Sequence, residues 1–72
     1  MDILKEIYIA EDSFRRENGS KPKHIQINEQ GGELIKKALY PNLRLPKGII
    51  IPKLDGIPLI VKPRQNRLWQ FA

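Results

Sequence analysis

IIIPKLDGIPLIV, residues Ile49 to Val61, places eight aliphatic side chains in thirteen positions around a single Asp-Gly pair. That pair sets the geometry of the stretch. A two-residue type I′ turn needs positive φ at both central residues, and Asp55-Gly56 supplies it at little steric cost, so the segment reads as a tight hairpin. A two-residue loop fixes which residues oppose one another. Leu54 then faces Ile57, Pro52 faces Leu59 and Ile50 faces Val61 on one side of the ribbon. On the other side Lys53 meets Pro58, Ile51 meets Ile60 and Ile49 meets Lys62. The first side is wholly apolar and is expected to lie under helices. Pro52 and Pro58 lack a ladder donor, which favours positions beside a turn, bulge or edge.

Downstream, PRQN (residues 63–66) reads as a second turn, and Arg67, Trp69 and Phe71 alternate with Leu68 and Gln70 as a third strand. A four-residue loop would set Trp69 opposite Ile60 and Phe71 opposite Pro58, completing a C-terminal β-meander over about 48–71. The expected outer face carries Ile51, Ile60, Trp69 and Phe71, with Lys53, Lys62, Arg64 and Arg67 around it. An aromatic centre with a basic rim is the usual anatomy of a protein interface.

Upstream, Ile3, Leu4, Ile7, Tyr8, Ala10 and Phe14 recur at helical spacing, with Asp2 as N-cap and Asn18-Gly19 as the stop, giving a helix near 2–17. Ile25 and Ile27 alternate with polar residues, as in a short edge strand near 24–28. Asn28 caps a second helix near 29–39 whose stripe is Leu34, Ile35, Ala38 and Leu39, and Tyr40-Pro41 ends it. The expected fold class is α+β: two helices packed on a small, mainly antiparallel sheet of three to four strands, in one domain spanning 1–72.

Seventy-two residues are near the lower limit for a core that stands without disulfides or metal, and oligomerisation is a natural supplement. No cysteine is present, which excludes disulfides, thiol nucleophiles and cysteine-based metal sites. His24 is the only histidine, with no second imidazole to share a metal, and it reads as a half-exposed strand residue. Glu6, Glu11, Asp12 and Glu17 are expected to fall mostly on the polar side of the first helix, where they can pair with Arg15 and Arg16. Gly31-Gly32 before a helical stripe lacks the remaining glycines or lysine of a phosphate-binding loop. These readings point to a protein that is not an enzyme and needs no cofactor, metal or small-molecule substrate.

Charge is distributed unevenly. Residues 1–35 carry five basic side chains against seven acidic ones, whereas residues 36–72 carry eight basic side chains against Asp55 alone. A basic half attracts nucleic acid, an acidic protein or an anionic surface. The nucleic-acid alternative would use Lys36, Lys37, Arg44 and Lys47 together with Lys53, Lys62, Arg64 and Arg67 on phosphates, with Trp69, Phe71 and Tyr40 as stacking surfaces. Against a membrane location, no apolar run approaches bilayer length, and the first twelve residues interleave charges where a signal peptide needs an uncharged core. The expectation is an uncleaved, cytoplasmic, non-enzymatic protein that docks on another protein or on its own copy through the basic-rimmed apolar sheet face, with nucleic acid as the alternative partner.

Residues 22–71, with PKHIQIN, the helix ELIKKAL and the strand LDGIPLIVKP, resemble a segment of tailed-phage major capsid proteins and of small phage-encoded proteins like them. The resemblance is carried by Asn28, Gly56, Ile57, Pro58, Leu59 and Ile60. It implies a phage or prophage origin, with the virion as a second location, and an α+β sheet layout. The chain has no room for the long helix, extended loop and N-terminal arm of a capsid subunit, so no catalytic or ligand residue is transferred.

Overall fold

The computed structural model describes residues 2–49 and 51–72; the expected pairing of Ile50 with Val61 lies outside the described residues. Helix α1 runs Ile3–Asn18. It starts where the Asp2 side chain accepts from the Lys5 backbone N–H at 3.1 Å. It stops at Gly19, whose φ of 74° lets its N–H turn back to the Arg15 carbonyl, the left-handed cap that glycine adopts without strain. Helix α2, Glu29–Leu39, is capped by Asn28 Oδ1, which accepts from Gly31 N–H at 2.7 Å.

Four strands follow the order β2-β3-β1-β4, with β1 Ile25–Ile27, β2 Lys53–Leu54, β3 Ile57–Val61 and β4 Trp69–Phe71. Two of the three pairings are antiparallel and β1 with β3 is parallel, so the fold is α+β on a mixed, mostly antiparallel sheet. The hairpin forms with Lys53 opposite Pro58 and Leu54 opposite Ile57. Asp55 and Gly56 hold φ of 52° and 77°, the positive values that a type I′ turn requires.

Beyond that turn the expected meander gives way to another topology. β1 is central rather than an edge: it lies between β3 and β4, and Trp69 faces Ile27 instead of Ile60. The reason lies in the inward side chains of β1. Ile25 and Ile27 are almost fully buried, and a strand with two such residues is shielded best with a neighbour on each side. Helix α2 and the chain after it supply the long crossover that a parallel pair needs. Residues 62–68 then pass over the end of β1 rather than turning straight back. Gln65 holds that passage, donating to the carbonyls of Gln26 at 3.1 Å and Arg67 at 2.8 Å, while its own backbone carbonyl accepts from the Asn28 amide.

The passage also explains Gly31. A β-carbon there would overlap the Leu68 carbonyl, so the glycine that weakens the helix start is what admits the crossing chain.

One core joins the two layers. Ile3 and Ile7 of α1 and Ile35 of α2 pack with Ile25, Ile27, Leu54, Ile57 and Leu59 of the sheet. Both helices therefore cover the same side, where the alternation of β1 and β3 buries Ile25, Ile27, Ile57 and Leu59.

Candidate functional site: the uncovered face of the sheet

Alternation assigns the other side. Gln26 is the register partner of Ile60 and of Gln70, and Lys53 is the partner of Pro58, so these five side chains share the face that no helix covers. His24, two residues before Gln26, and Lys62, two residues after Ile60, continue it by the same period of two. Gln70 Nε2 donates to Gln26 Oε1 at 2.8 Å, tying the central amides together. Each amide keeps further donor and acceptor capacity. Ile60 and Pro58 are half-buried and give the middle of the face an apolar floor; Lys53 and Lys62 are exposed.

No carboxylate joins them. Four of the eight acidic side chains lie in α1, two lie in α2, Asp2 caps α1, and Asp55 is drawn toward Lys21. The sheet face thus carries positive charge alone, while the helical layer carries nearly all of the negative charge.

The four apolar residues expected to form one docking surface are separated. Ile60 stays on the uncovered face. Trp69 and Phe71 stand on the helix side, as register partners of Ile27 and Ile25. There Trp69 Nε1 donates to Glu6 Oε1 at 3.3 Å. Phe71 meets Phe14 of α1 edge-on at 5.6 Å and Trp69 at 5.1 Å. Ile51 also packs against the core and lines a cleft with Ile27, Ile35, Leu59 and Val61. Its expected partnership with Ile60 fails because Pro52 has no N–H: Leu59 N–H reaches the Pro52 carbonyl at 2.9 Å, no bond can return, and the chain leaves the ladder there.

The basic residues divide as well. Lys53, Lys62, Arg64 and Arg67 are exposed on the sheet face or its loops, and Arg44 and Lys47 are exposed in the connector. Lys37 is exposed on α2, beside α1. Lys36 is buried, donating to the Pro46 carbonyl at 3.1 Å and pairing with Glu33 at 2.7 Å. It pins the connector to α2 and is withdrawn from any phosphate. The same ammonium, by its hydrogen bond, holds the Glu33 carboxyl below the ordinary carboxylate range.

Glu11 corrects the expectation that the α1 carboxylates face water. It continues the inward line of Ile3 and Ile7 and is only 4% exposed. Its Oε1 has no hydrogen-bond partner, and Lys21 Nζ stands 3.8 Å away. Lys21 also reaches Asp55, 3.6 Å from its carboxylate and 2.8 Å from its backbone carbonyl. Burial first, then the hydrogen bond and charge of Asp55, push the Glu11 carboxyl up; Lys21 and Arg15 oppose this. Glu11 lines neither the α2 cleft nor the groove between the helices. The cluster ties the linker after α1 to the hairpin tip. Nothing in the sequence period separates Glu11 from its solvated neighbours except its place four residues after Ile7.

Among the described residues no group of three or more histidine or acidic side chains could hold a metal, and no helix is long and apolar enough to cross a membrane. No family model matches the chain, and no curated protein or solved structure matches it.

Proposed function

We propose that the protein is a non-enzymatic binding module that takes a single strand of nucleic acid across the uncovered face of its sheet. The observation that carries this reading is the charge of that face: Lys53 and Lys62 flank Gln26, Gln70, Pro58 and Ile60, and no carboxylate lies among them. Lysines neutralise phosphates, paired amides offer donors and acceptors to base edges, and the Pro58–Ile60 floor receives sugar or base surface. Trp69 and Phe71 stand on the other side, so stacking on aromatic rings is not part of the mode. Arg64 and Arg67 extend the basic field along the loop toward β4. Such a module would work in the cytoplasm, and a phage or prophage origin belongs to the same proposal.

Titration of a labelled single strand at two salt concentrations tests it. Affinity should fall steeply with salt, and each lysine removed should lower the logarithmic salt slope by about one at most. Lys53→Glu with Lys62→Glu should abolish binding while the circular dichroism is kept. Binding that ignores both salt and the double reversal would overturn the reading. Docking of a protein on the same face is the second reading, favoured by the central position of Ile60 and Pro58; it expects a complex that survives salt and is lost in Ile60→Lys.

A further inference from the structure

The solvent side of α1 carries an ordered pattern that the sheet face does not use. Directly opposite the buried line of Ile3, Ile7 and Glu11 runs Asp2, Lys5, Ile9, Asp12 and Arg16. Their spacing of three, four, three and four keeps them on one stripe. Ile9 is 60% exposed and its neighbour Tyr8 is 42% exposed, the two large apolar side chains that α1 leaves in water. Beside them, the groove between the helices is lined by Leu4, Leu34 and Ala38. From the N-terminus of the helix onward, the stripe is negative, positive, apolar, negative, positive. In the opposite direction it is positive, negative, apolar, positive, negative.

We propose that the protein forms a two-fold dimer in which the solvent stripe of α1 lies antiparallel on the same stripe of a second copy, centred on Ile9. Reversal about Ile9 sets Asp2 level with Arg16 of the other copy. It sets Lys5 within one residue, about 1.5 Å of rise, of the other copy's Asp12. Every charge then meets its opposite and Ile9 meets Ile9, with Tyr8 on the flank. A parallel arrangement would put like charges together. An isologous contact requires this kind of self-complementarity. Exposed ion pairs add little energy, so the charges choose register and partner, while Ile9, Tyr8 and the adjoining groove supply the desolvated area. Asp12 already pairs with Arg16 of its own helix at 3.0 Å and Arg15 at 3.8 Å, and Lys5 of the second copy joins that network. The helical layers become the interior of the dimer and the two uncovered sheet faces point outward, so the inference does not depend on what those faces bind.

Sedimentation equilibrium on the full chain, over a range of concentrations, decides it. The unaltered protein should sediment as a dimer, and Ile9→Lys as a monomer with unchanged circular dichroism, because Ile9 is outside the core. Lys5→Asp alone brings two carboxylates together where the helices cross, and Asp12→Lys alone brings two ammonium groups together there; each variant should be monomeric. Mixing these two variants restores opposite charges at both crossings and should yield a heterodimer. A protein that stays monomeric at every concentration, a dimer that Ile9→Lys leaves intact, or a mixture that fails to associate would each overturn the proposal.

Discussion

Trp69 lies directly across the β1–β4 ladder from Ile27, and its indole N–H donates to Glu6 of α1. This single register places the largest side chain of the chain among the groups that hold helix to sheet. Trp69→Ala should therefore lower stability by roughly 2 kcal/mol, below the full burial cost because the ring is half-buried. Trp69→Phe keeps an aromatic ring and loses the bond to Glu6, costing less than about 1 kcal/mol. Urea denaturation followed by circular dichroism checks both. A Trp69→Ala protein as stable as the parent would mean that the ring does not pack against α1.

Gly31 and Leu68 make the second test. Alanine at an exposed helix position usually gains about 1 kcal/mol over glycine. At position 31 the added carbon meets the Leu68 carbonyl, and overpacking costs about 1 to 3 kcal/mol, so Gly31→Ala should destabilise. Gly32→Ala meets only the end of the Ile27 side chain at 3.3 Å and should be milder. The two midpoints in one denaturation series give the order, and the reverse order would contradict the close passage of residues 62–68 over α2.

Glu11 gives the chain a distinctive dependence on pH. Its carboxyl is raised above the ordinary value of 4.5, so the folded state binds this proton more tightly than the unfolded state does. Its contribution to stability is fully present below about 4.5 and is lost as pH rises through the raised value. Glu11→Gln removes that loss, and its stability should gain on the parent as pH rises from about 4.5 toward neutrality. The groups facing Glu11, namely Asp55, Lys21 and Arg15, are present in both proteins, as is Glu33, whose lowered carboxyl acts in the opposite sense. Thermal melts of the two proteins at matched pH values measure the difference. A constant offset across that range would show that Glu11 titrates normally.

Lys36 anchors the connector through the Pro46 carbonyl. Lys36→Met keeps most of the buried stem and loses the ammonium, at a cost of about 1.5 to 3 kcal/mol for hydrogen bonds to a charged group. The connector should then be cut faster by trypsin after Arg44 and Lys47. Equal cleavage rates in the two proteins would remove the anchoring role.

Much of this architecture depends on local rules that can be read residue by residue. Asp2 and Asn28 as caps, Gly19 as a stop and Asp55-Gly56 as a type I′ turn each act over a few neighbouring residues. Local geometry therefore determines both helices, the hairpin and its first two register pairs. The composition likewise determines the basic C-terminal half and the absence of thiol chemistry. The order of the strands is a different kind of property, because it depends on which backbone edges compete for one another across the chain. Turn length alone favours β4 on β3. The burial of Ile25 and Ile27, the Gln65 contacts and the space left by Gly31 favour β1 between them, and the bond from Gln65 to Gln26 joins residues 39 positions apart. That choice moves Trp69 and Phe71 to the helix side, leaves Gln26 and Gln70 on the open side, and decides which surface is free to bind.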